Sequence, residues 1–213
     1  MTECPPVIIV LDHVKPENIR SIPDRRGGST YVSASATGAA GRERDHQDDA
    51  AEILKEELEK LGVSVEIKAP EEFGNYEDYD AYIRSESNKG HVVIPFHFDA
   101  EVGKGGTGFL TRIRSGDIED RELAERIEPM LESFQRDNPE LGNYRVTDTA
   151  PNATLNVAAS GPATLIEFGS MVAWENHYGK DFTSSSKFRQ LSRMVARAIV
   201  GEKTPPRVSP TGW

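Results

Sequence analysis

The sequence predicts an α/β fold, a single domain with a twisted, mostly parallel central sheet flanked by helices. Short continuous apolar runs rich in β-branched residues recur along the chain, as in strands that are buried on both faces of a parallel sheet. Segments with apolar residues at helical spacing separate these runs. The length of 213 residues suits one compact domain with room for a sizeable core.

The first strand is predicted at residues 7–11, and Asp12 and His13 follow at its carboxyl end. A loop rich in Gly, Ser, Ala and Arg then extends through Gly41, and a loop of this length is typically functional or disordered. The remaining elements, predicted from the period of their apolar residues, are helix 45–60, strand 63–67, helix 75–88, strand 91–97, strand 107–113, helix 117–136, strand 163–169 and helix 184–200.

Domain boundaries follow from the same pattern. Residues 1–202 are predicted to form the folded domain. Residues 203–213, rich in Pro and polar residues, are predicted to form a flexible C-terminal tail. The role of the long segment 14–42 stays open.

The composition excludes some functions and limits the metal chemistry. The net charge of -10 and the pI of about 5.1 argue against a nucleic-acid binder, which needs clustered Lys and Arg to displace counterions from phosphates. No segment approaches the ~20 apolar residues of a membrane span. Because Cys4 is the only cysteine, no intramolecular disulfide can form, and any zinc site must use His and carboxylate ligands.

Three polar side chains lie where the core of a sheet would not be expected to hold them. His13 follows the first strand, His97 ends another, and Glu167 interrupts the apolar strand 163–169. A buried carboxylate costs free energy unless it is paired, hydrogen-bonded or metal-bound. Ligand sites of open α/β sheets gather at the carboxyl ends of strands. These three groups can therefore converge on one site.

Each candidate also has a structural interpretation. A single His at a strand end is more often a structural hydrogen-bonding group than a ligand. Glu167 can be the buried ion-pair partner of an Arg. Glu43 and His46 can be ordinary residues in the first turn of a helix, where Glu interacts favourably with the helix dipole. The residue types alone leave these alternatives open.

Taken together, the residues fit metal-assisted hydrolysis of an amide. Zinc commonly takes three His or carboxylate ligands and leaves a fourth position for water. Bound zinc lowers the pKa of that water to about 7 and polarises a carbonyl. A nearby carboxylate can then move a proton from the water to the leaving amine.

The order of the motifs resembles the zinc-dependent N-acetylmuramoyl-L-alanine amidases, the amidase_3 type of cell-wall hydrolase. That family has a strand ending in His, a Glu that opens a helix, a strand ending in a His-Ala-Asn-Ala-like motif, and a late Val-Glu-x-Gly-Phe-like motif. The segments that carry the resemblance are, in chain order, Val10-Leu11-Asp12-His13, residues 43–51, Ile94-Pro95-Phe96-His97-Phe98-Asp99-Ala100, Gly105-Gly106-Thr107-Gly108-Phe109 and Ala163-Thr164-Leu165-Ile166-Glu167-Phe168-Gly169.

The resemblance implies a ligand set and a reaction. It implies that His13, Glu43 and His97 bind Zn2+ and that Glu167 is the catalytic acid/base. His46 competes for a place in the set, since it lies three residues after Glu43 and both can share one helix face. The implied substrate is peptidoglycan, cleaved at the amide between N-acetylmuramic acid and the first L-alanine of the stem peptide.

Two other functions stay open. The motif around His13 lacks the glycines that the family usually has there, and the following loop is longer. Both differences favour a zinc amidohydrolase or peptidase that acts on another N-acyl amino acid or small peptide. An inactive relative that keeps the fold as a binding module is the third possibility.

The expected location and assembly state follow from the N-terminus and the family. Residues 1–6 lack the basic region and the long apolar run of a signal peptide. We therefore expect synthesis in the cytoplasm, with release to the cell wall in the manner of a phage-type lysin. We expect a monomer.

Overall fold

Strands and helices alternate along most of the chain. The computed structural model describes residues 4–13, 39–99, 108–147, 149 and 152–202. The strands are β1 (Val7–Val10), β2 (Val65–Lys68), β3 (Val92–Asp99), β4 (Phe109–Arg112) and β5 (Leu165–Ser170). The helices are α1 (Ala39–Glu59), α2 (Tyr76–Asn88), α3 (Ile118–Asp137), α4 (Ala153–Val157), α5 (Met171–Tyr178) and α6 (Ser186–Ile199).

The strands form one five-stranded sheet in the order β2-β1-β3-β5-β4. The pairs β1–β2, β1–β3 and β3–β5 are parallel, and β4 runs antiparallel to β5 at one edge. This arrangement confirms the predicted mostly parallel α/β fold. Because β1, β3 and β5 are parallel neighbours, their carboxyl ends lie side by side at the same end of the strands.

Both faces of the sheet are buried, which explains the unbroken apolar runs. Within β1, Val7 and Ile9 join a larger core that includes residues of α1, α3 and α6. Ile8 and Val10 join a smaller core with residues of α2 and α4 on the opposite face. Each face of a β-strand carries alternate residues, so a strand covered on both sides needs apolar residues at every position.

One predicted helix boundary was wrong, and two short helices were not predicted. Helix α1 begins at Ala39, six residues before the predicted start, so the predicted loop 14–42 ends earlier and Glu43 lies inside the helix. Ala is the best helix-forming residue, and it outweighs the single Gly41 in this turn. The short helices α4 and α5 were not predicted, because five and eight residues show too little periodicity.

Some predicted segments lie outside the described residues. They are the part of the long loop from residue 14 to residue 38, Gly105 and Gly106 before β4, and the tail 203–213. Within the described residues, no helix combines the length and apolar character needed to cross a membrane.

Candidate active site

The carboxyl ends of β1, β3 and β5 bring the candidate residues together. Asp12 and His13 follow β1, and His97 lies near the end of the neighbouring strand β3. Glu167 pairs with His97 in the register of β3 and β5. Helix α1 contributes Glu43. The site therefore combines residues from four elements that are distant in sequence.

The carboxylate of Glu43 lies between the imidazoles of His13 and His97. Its Oε2 is 3.2 Å from Nε2 of His13, and its Oε1 is 3.2 Å from Nδ1 of His97. One possible ligand atom from each of these three buried residues lies within 4.8 Å of the others. Two imidazole nitrogens and one carboxylate oxygen are a donor set that zinc uses in hydrolytic sites, with a fourth position left open. The residues present therefore fit a zinc ion.

Contacts from α1 and β3 hold the Glu43 side chain in place. Gln47, one helical turn later, donates from Nε2 to Oε1 of Glu43 at 3.1 Å and to the carbonyl oxygen of Phe96 at 2.8 Å. The backbone N–H of Phe98 donates to the same carboxylate oxygen at 3.0 Å. Gln47 is fully buried. The Glu43 carboxylate thus joins α1 to β3, and these contacts limit the rotation of the Glu43 side chain.

The electrostatics of the cluster favour positive charge at its centre. Burial alone would raise the pKa of Glu43, but His13 and His97 hold it well below its ordinary range. Burial alone would lower the pKa of His97, but hydrogen bonds to Asp12 and Glu43 raise it well above its ordinary value. A cation bound between these groups would meet an ionised carboxylate in a largely desolvated position.

Asp12 contacts the side of His97 that faces away from Glu43. Its Oδ2 lies 3.3 Å from Nε2 of His97. The hydroxyl of Thr154, at the start of α4, donates to the other carboxylate oxygen. The hydroxyl of Tyr76 donates to the backbone carbonyl of Asp12 at 2.9 Å. His97 consequently has a carboxylate at each of its two ring nitrogens.

Glu167 is a carboxyl group with an unusually high pKa. Its side chain is partly exposed, but its Oε2 is shielded from solvent and has no hydrogen-bond partner among the described residues. Burial raises the pKa of Glu167 to about 8, and the positive charge of His97 only partly opposes this rise. The negative charges of Glu43 and Asp99 raise the pKa further. A carboxyl that titrates near neutral pH can both accept and donate a proton.

His46, the competing ligand, lies apart from the cluster. Its Nε2 is 2.9 Å from Oε1 of Glu175 in α5, and its ring packs against Phe182 with the ring centroids 4.8 Å apart. Of the described residues, His13, Glu43 and His97 make up the one group of three that can share a metal ion. The geometry therefore assigns His46 to a contact between α1 and α5.

Sequence reasoning missed three side chains of this site. The sequence could have indicated Asp12, because this residue comes soon after a buried strand and directly before His13. Gln47 had a weaker one, since it lies four residues after Glu43 and so shares its helix face. Thr154 had none, because its short helix was not predicted and it is distant from every motif.

Comparison with known proteins finds similarity in structure. No protein-family model matches the chain, and no curated protein matches it. The N-acetylmuramyl-L-alanine amidase Ami1 from Mycobacterium smegmatis superposes with a TM-score of 0.63 at 15% identity, over 94% of this chain and 98% of that one. The catalytic domain of the CD27L endolysin, which targets Clostridium difficile, gives a TM-score of 0.61 at 18% identity, over 93% and 98%.

A third solved structure agrees with these two. The CwlD amidase from Clostridioides difficile, in complex with the GerS lipoprotein, gives a TM-score of 0.60 at 15% identity, over 91% of this chain and 96% of that one. At such identities the likeness concerns the fold. The resemblance inferred from the motif order is confirmed at that level: the chain has the α/β fold of the N-acetylmuramoyl-L-alanine amidases.

Proposed function

We propose that this protein is a zinc-dependent N-acetylmuramoyl-L-alanine amidase that cleaves peptidoglycan between N-acetylmuramic acid and the first L-alanine of the stem peptide. One observation carries the proposal. The buried group of His13, Glu43 and His97 lies beside a protonatable Glu167 at the carboxyl ends of the strands, in a fold shared with amidases of this class.

His13, Glu43 and His97 are the proposed ligands. Bound zinc would supply Lewis-acid chemistry, polarising the scissile carbonyl and acidifying a water molecule. The protein contributes a fixed carboxylate in Glu43, whose position is set by Gln47 and by the backbone N–H of Phe98. It also keeps this group largely away from bulk water, which strengthens every electrostatic interaction inside the site.

Glu167 is the proposed proton carrier. Its shielded Oε2 can accept the proton of the attacking water and then donate it to the nitrogen of the leaving L-alanine. Without a bound metal the pKa of Glu167 is about 8, and a zinc ion nearby would lower it. Glu167 would then be ionised at neutral pH and able to accept the first proton. The pairing with His97 keeps Glu167 next to the proposed zinc ligands.

The proposal is tested by metal analysis together with peptidoglycan digestion. We expect the purified protein to hold one zinc ion per chain, to lose cleavage on chelation and to regain it when zinc is added. His97→Ala should lose the metal, whereas Glu167→Gln should keep it and lose turnover by roughly 100-fold or more, as expected when a general acid/base is removed. Cleavage that survives thorough metal removal would overturn the proposal.

A matched control lies just before the same strand. His91 lies next to the opposite end of β3, where its Nδ1 is 2.9 Å from Oε2 of Glu86. His91→Ala should leave zinc content and cleavage unchanged. Analysis of the digested muropeptides then identifies the bond. New free amino groups on L-alanine support the amidase, whereas intact muramoyl–alanine linkages would indicate a different amide substrate.

A further inference from the structure

Asp12 is a buried carboxylate that the proposed reaction leaves without a role. It is 9% exposed and lies at the end of β1, and its Oδ2 is 3.3 Å from Nε2 of His97. Burial of such a group is unfavourable unless partners compensate for the lost hydration. Here the hydroxyl of Thr154 donates to its Oδ1, and the hydroxyl of Tyr76 holds its backbone carbonyl at 2.9 Å.

The two nitrogens of His97 face different groups. Nε2 faces Asp12, and Nδ1 faces Oε1 of Glu43 at 3.2 Å, on the side where His13 also lies. A neutral imidazole carries a proton on one nitrogen and a lone pair on the other. A carboxylate can only accept a hydrogen bond, and His97 meets one at each ring nitrogen. A zinc ion held by Nδ1 and Glu43 would leave Asp12 as the acceptor for the remaining ring proton, so Asp12 would favour the tautomer protonated at Nε2 in the zinc-loaded site. That tautomer leaves the Nδ1 lone pair directed at the proposed zinc position.

We infer that Asp12 is a positioning residue that selects the tautomer and ring orientation of His97, and that Thr154 holds Asp12 in place for this purpose. The inference rests on the zinc site proposed above. Histidine ligands commonly donate their second N–H to a carboxylate, and loss of that partner typically lowers metal affinity about 10- to 100-fold. Asp12 follows β1 and Thr154 lies in α4, so the contact also connects α4 to the site.

The test compares zinc affinities of the full 213-residue chain and of variants by competition with a chelator. We expect about 10- to 100-fold weaker binding for Asp12→Ala, and a smaller loss for Asp12→Asn, which keeps the shape and removes the charge. Thr154→Val should also weaken binding, and Thr154→Ser, which retains the hydroxyl, should restore it. The Asn and Val variants preserve side-chain volume and keep the test usable if Asp12→Ala fails to fold.

A matched control separates this role from general destabilisation. Thr111 in β4 is as fully buried as Thr154, and its hydroxyl pairs with that of Thr147. Thr111→Val should lower the unfolding temperature without changing zinc affinity. The nitrogen-15 shifts of the His97 ring in the zinc-loaded protein provide a spectroscopic readout. They should show Nε2 protonated in the wild type, with a change in its N–H signal in Asp12→Asn.

The outcomes distinguish this inference from the proposed function. If the wild type binds zinc and the Asp12 variants bind it equally tightly, the role of Asp12 is wrong and the zinc site stands. A wild-type His97 protonated at Nδ1 in the loaded protein would also contradict the assignment. If the wild type binds no zinc at His13, Glu43 and His97, the proposed function fails and the role of Asp12 fails with it.

Discussion

At the scale of single residues, the pKa values of two carboxyl groups in the site shift in opposite directions because their surroundings differ. Glu43 accepts hydrogen bonds and faces two imidazoles, so its pKa falls well below the ordinary range although it is buried. Glu167 has no such donors at Oε2, and burial raises its pKa to about 8. Pairs of titratable groups whose pKa values are driven apart often divide acid/base and electrostatic roles between them. Glu43 is thereby suited to hold a cation, and Glu167 to exchange a proton.

The raised pKa of Glu167 predicts a pH-dependent stability in the metal-free protein. The folded pKa of about 8 lies above the ordinary value of 4.5, so unfolding releases a proton between these pH values. The contribution of Glu167 to the free energy of unfolding is fully present below pH 4.5 and is lost as the pH rises through 8. Glu167→Gln has no such proton to release. We expect its unfolding temperature to exceed that of the wild type by an amount that grows from pH 5 to pH 8.5.

Thermal unfolding of both metal-free proteins across this pH range checks the prediction. A variant in the exposed part of α3, Glu122→Gln, should instead follow the wild-type curve, since Glu122 is exposed. An unfolding-temperature difference between Glu167→Gln and the wild type that stays constant with pH would show that Glu167 is not protonated in the folded state.

The backbone conformation and close packing of Gly169 predict that a side chain at this position destabilises the fold. Its φ of +98° is rarely adopted by other residues, and an added Cβ would lie 2.7 Å from Cζ of Phe109 and 3.0 Å from Nε1 of Trp174. Gly169→Ala should therefore destabilise the fold by about 1–2 kcal/mol from the backbone and about 1–3 kcal/mol from overpacking. Urea unfolding measures the sum.

Gly179 is the matched control for that substitution. It has a φ of +80°, and an added Cβ would meet nothing within 4 Å. Gly179→Ala should cost only the backbone part, about 1–3 kcal/mol at its φ of +80° and ψ of 177°. Equal losses for the two variants would show that Phe109 and Trp174 can move aside.

The candidate residues could be found from sequence only where a pattern marked them. His13, His97 and Glu167 are polar residues at or within apolar strands, and this contrast identified them before any geometry was known. Glu43 was found only through the family's motif order, because an acidic residue near a helix start has an ordinary explanation. Which nitrogen of His97 faces which carboxylate depends on side-chain packing, and no sequence pattern encodes it.

At the scale of elements, α1 carries a proposed metal-binding carboxylate and a structural one. Glu43 reaches the site near its start, and Glu57, near its end, joins α1 to α6. Burial alone would raise the pKa of Glu57, but hydrogen bonds from Lys60, Arg193 and Arg189 lower it to about 2. The helix that supplies Glu43 is thus held against α6 by an ion-pair cluster as well as by apolar packing.

The Glu57 cluster predicts an acid-sensitive contact between these helices. Glu57→Gln should lower stability at pH 7 by about 1 kcal/mol, since its partners are partly exposed and solvent screens the pairs. The folded pKa of about 2 lies below the ordinary 4.5, so the contribution is present above pH 4.5 and lost as the pH falls through 2. In urea unfolding, the difference in free energy of unfolding between Glu57→Gln and the wild type should be smaller at pH 3 than at pH 7.

Glu56 provides the control for this prediction. Its side chain is 49% exposed and pairs only with Arg189 among the described ion pairs. Glu56→Gln should cost less than Glu57→Gln at pH 7. A larger loss for Glu56→Gln would mean that the buried carboxylate is not the centre of the cluster.

Element boundaries were predictable to the extent that each element has a long apolar period. Helix α6 was expected at 184–200 and is observed at Ser186–Ile199, because Phe188, Leu191 and Val195 give it a clear buried face. Helix α5 follows β5 without a linker, and the hydroxyl of Ser170 accepts from the N–H of Ala173 to cap it. A cap at a strand end is hard to recognise because the apolar run continues through Met171.

At the scale of the whole molecule, topology creates the site. The strand order places β1 next to β3 and β3 next to β5, so residues 12–13, 97 and 167 share one sheet edge. Apolar periodicity predicts that these strands are buried, but it does not specify which strands are neighbours, because every central strand has the same composition. The general rule for open α/β sheets indicated that the three strand ends can converge, but which strands are neighbours could be inferred from sequence only through the family's fold.

This topology predicts that zinc stabilises the entire fold. His13 follows β1, Glu43 lies in α1 and His97 lies in β3, and only the folded chain brings them together. A ligand that binds only the native state raises stability by about 4 kcal/mol at a thousand times its Kd. For a chain of this size that corresponds to an unfolding-temperature rise on the order of 10 °C. His97→Ala should lose this rise, whereas His46→Ala, which removes the contacts with Glu175 and Phe182, should retain it. A zinc-induced rise that persists in His97→Ala but disappears in His46→Ala would place the metal at the α1–α5 contact and contradict the proposed ligand set.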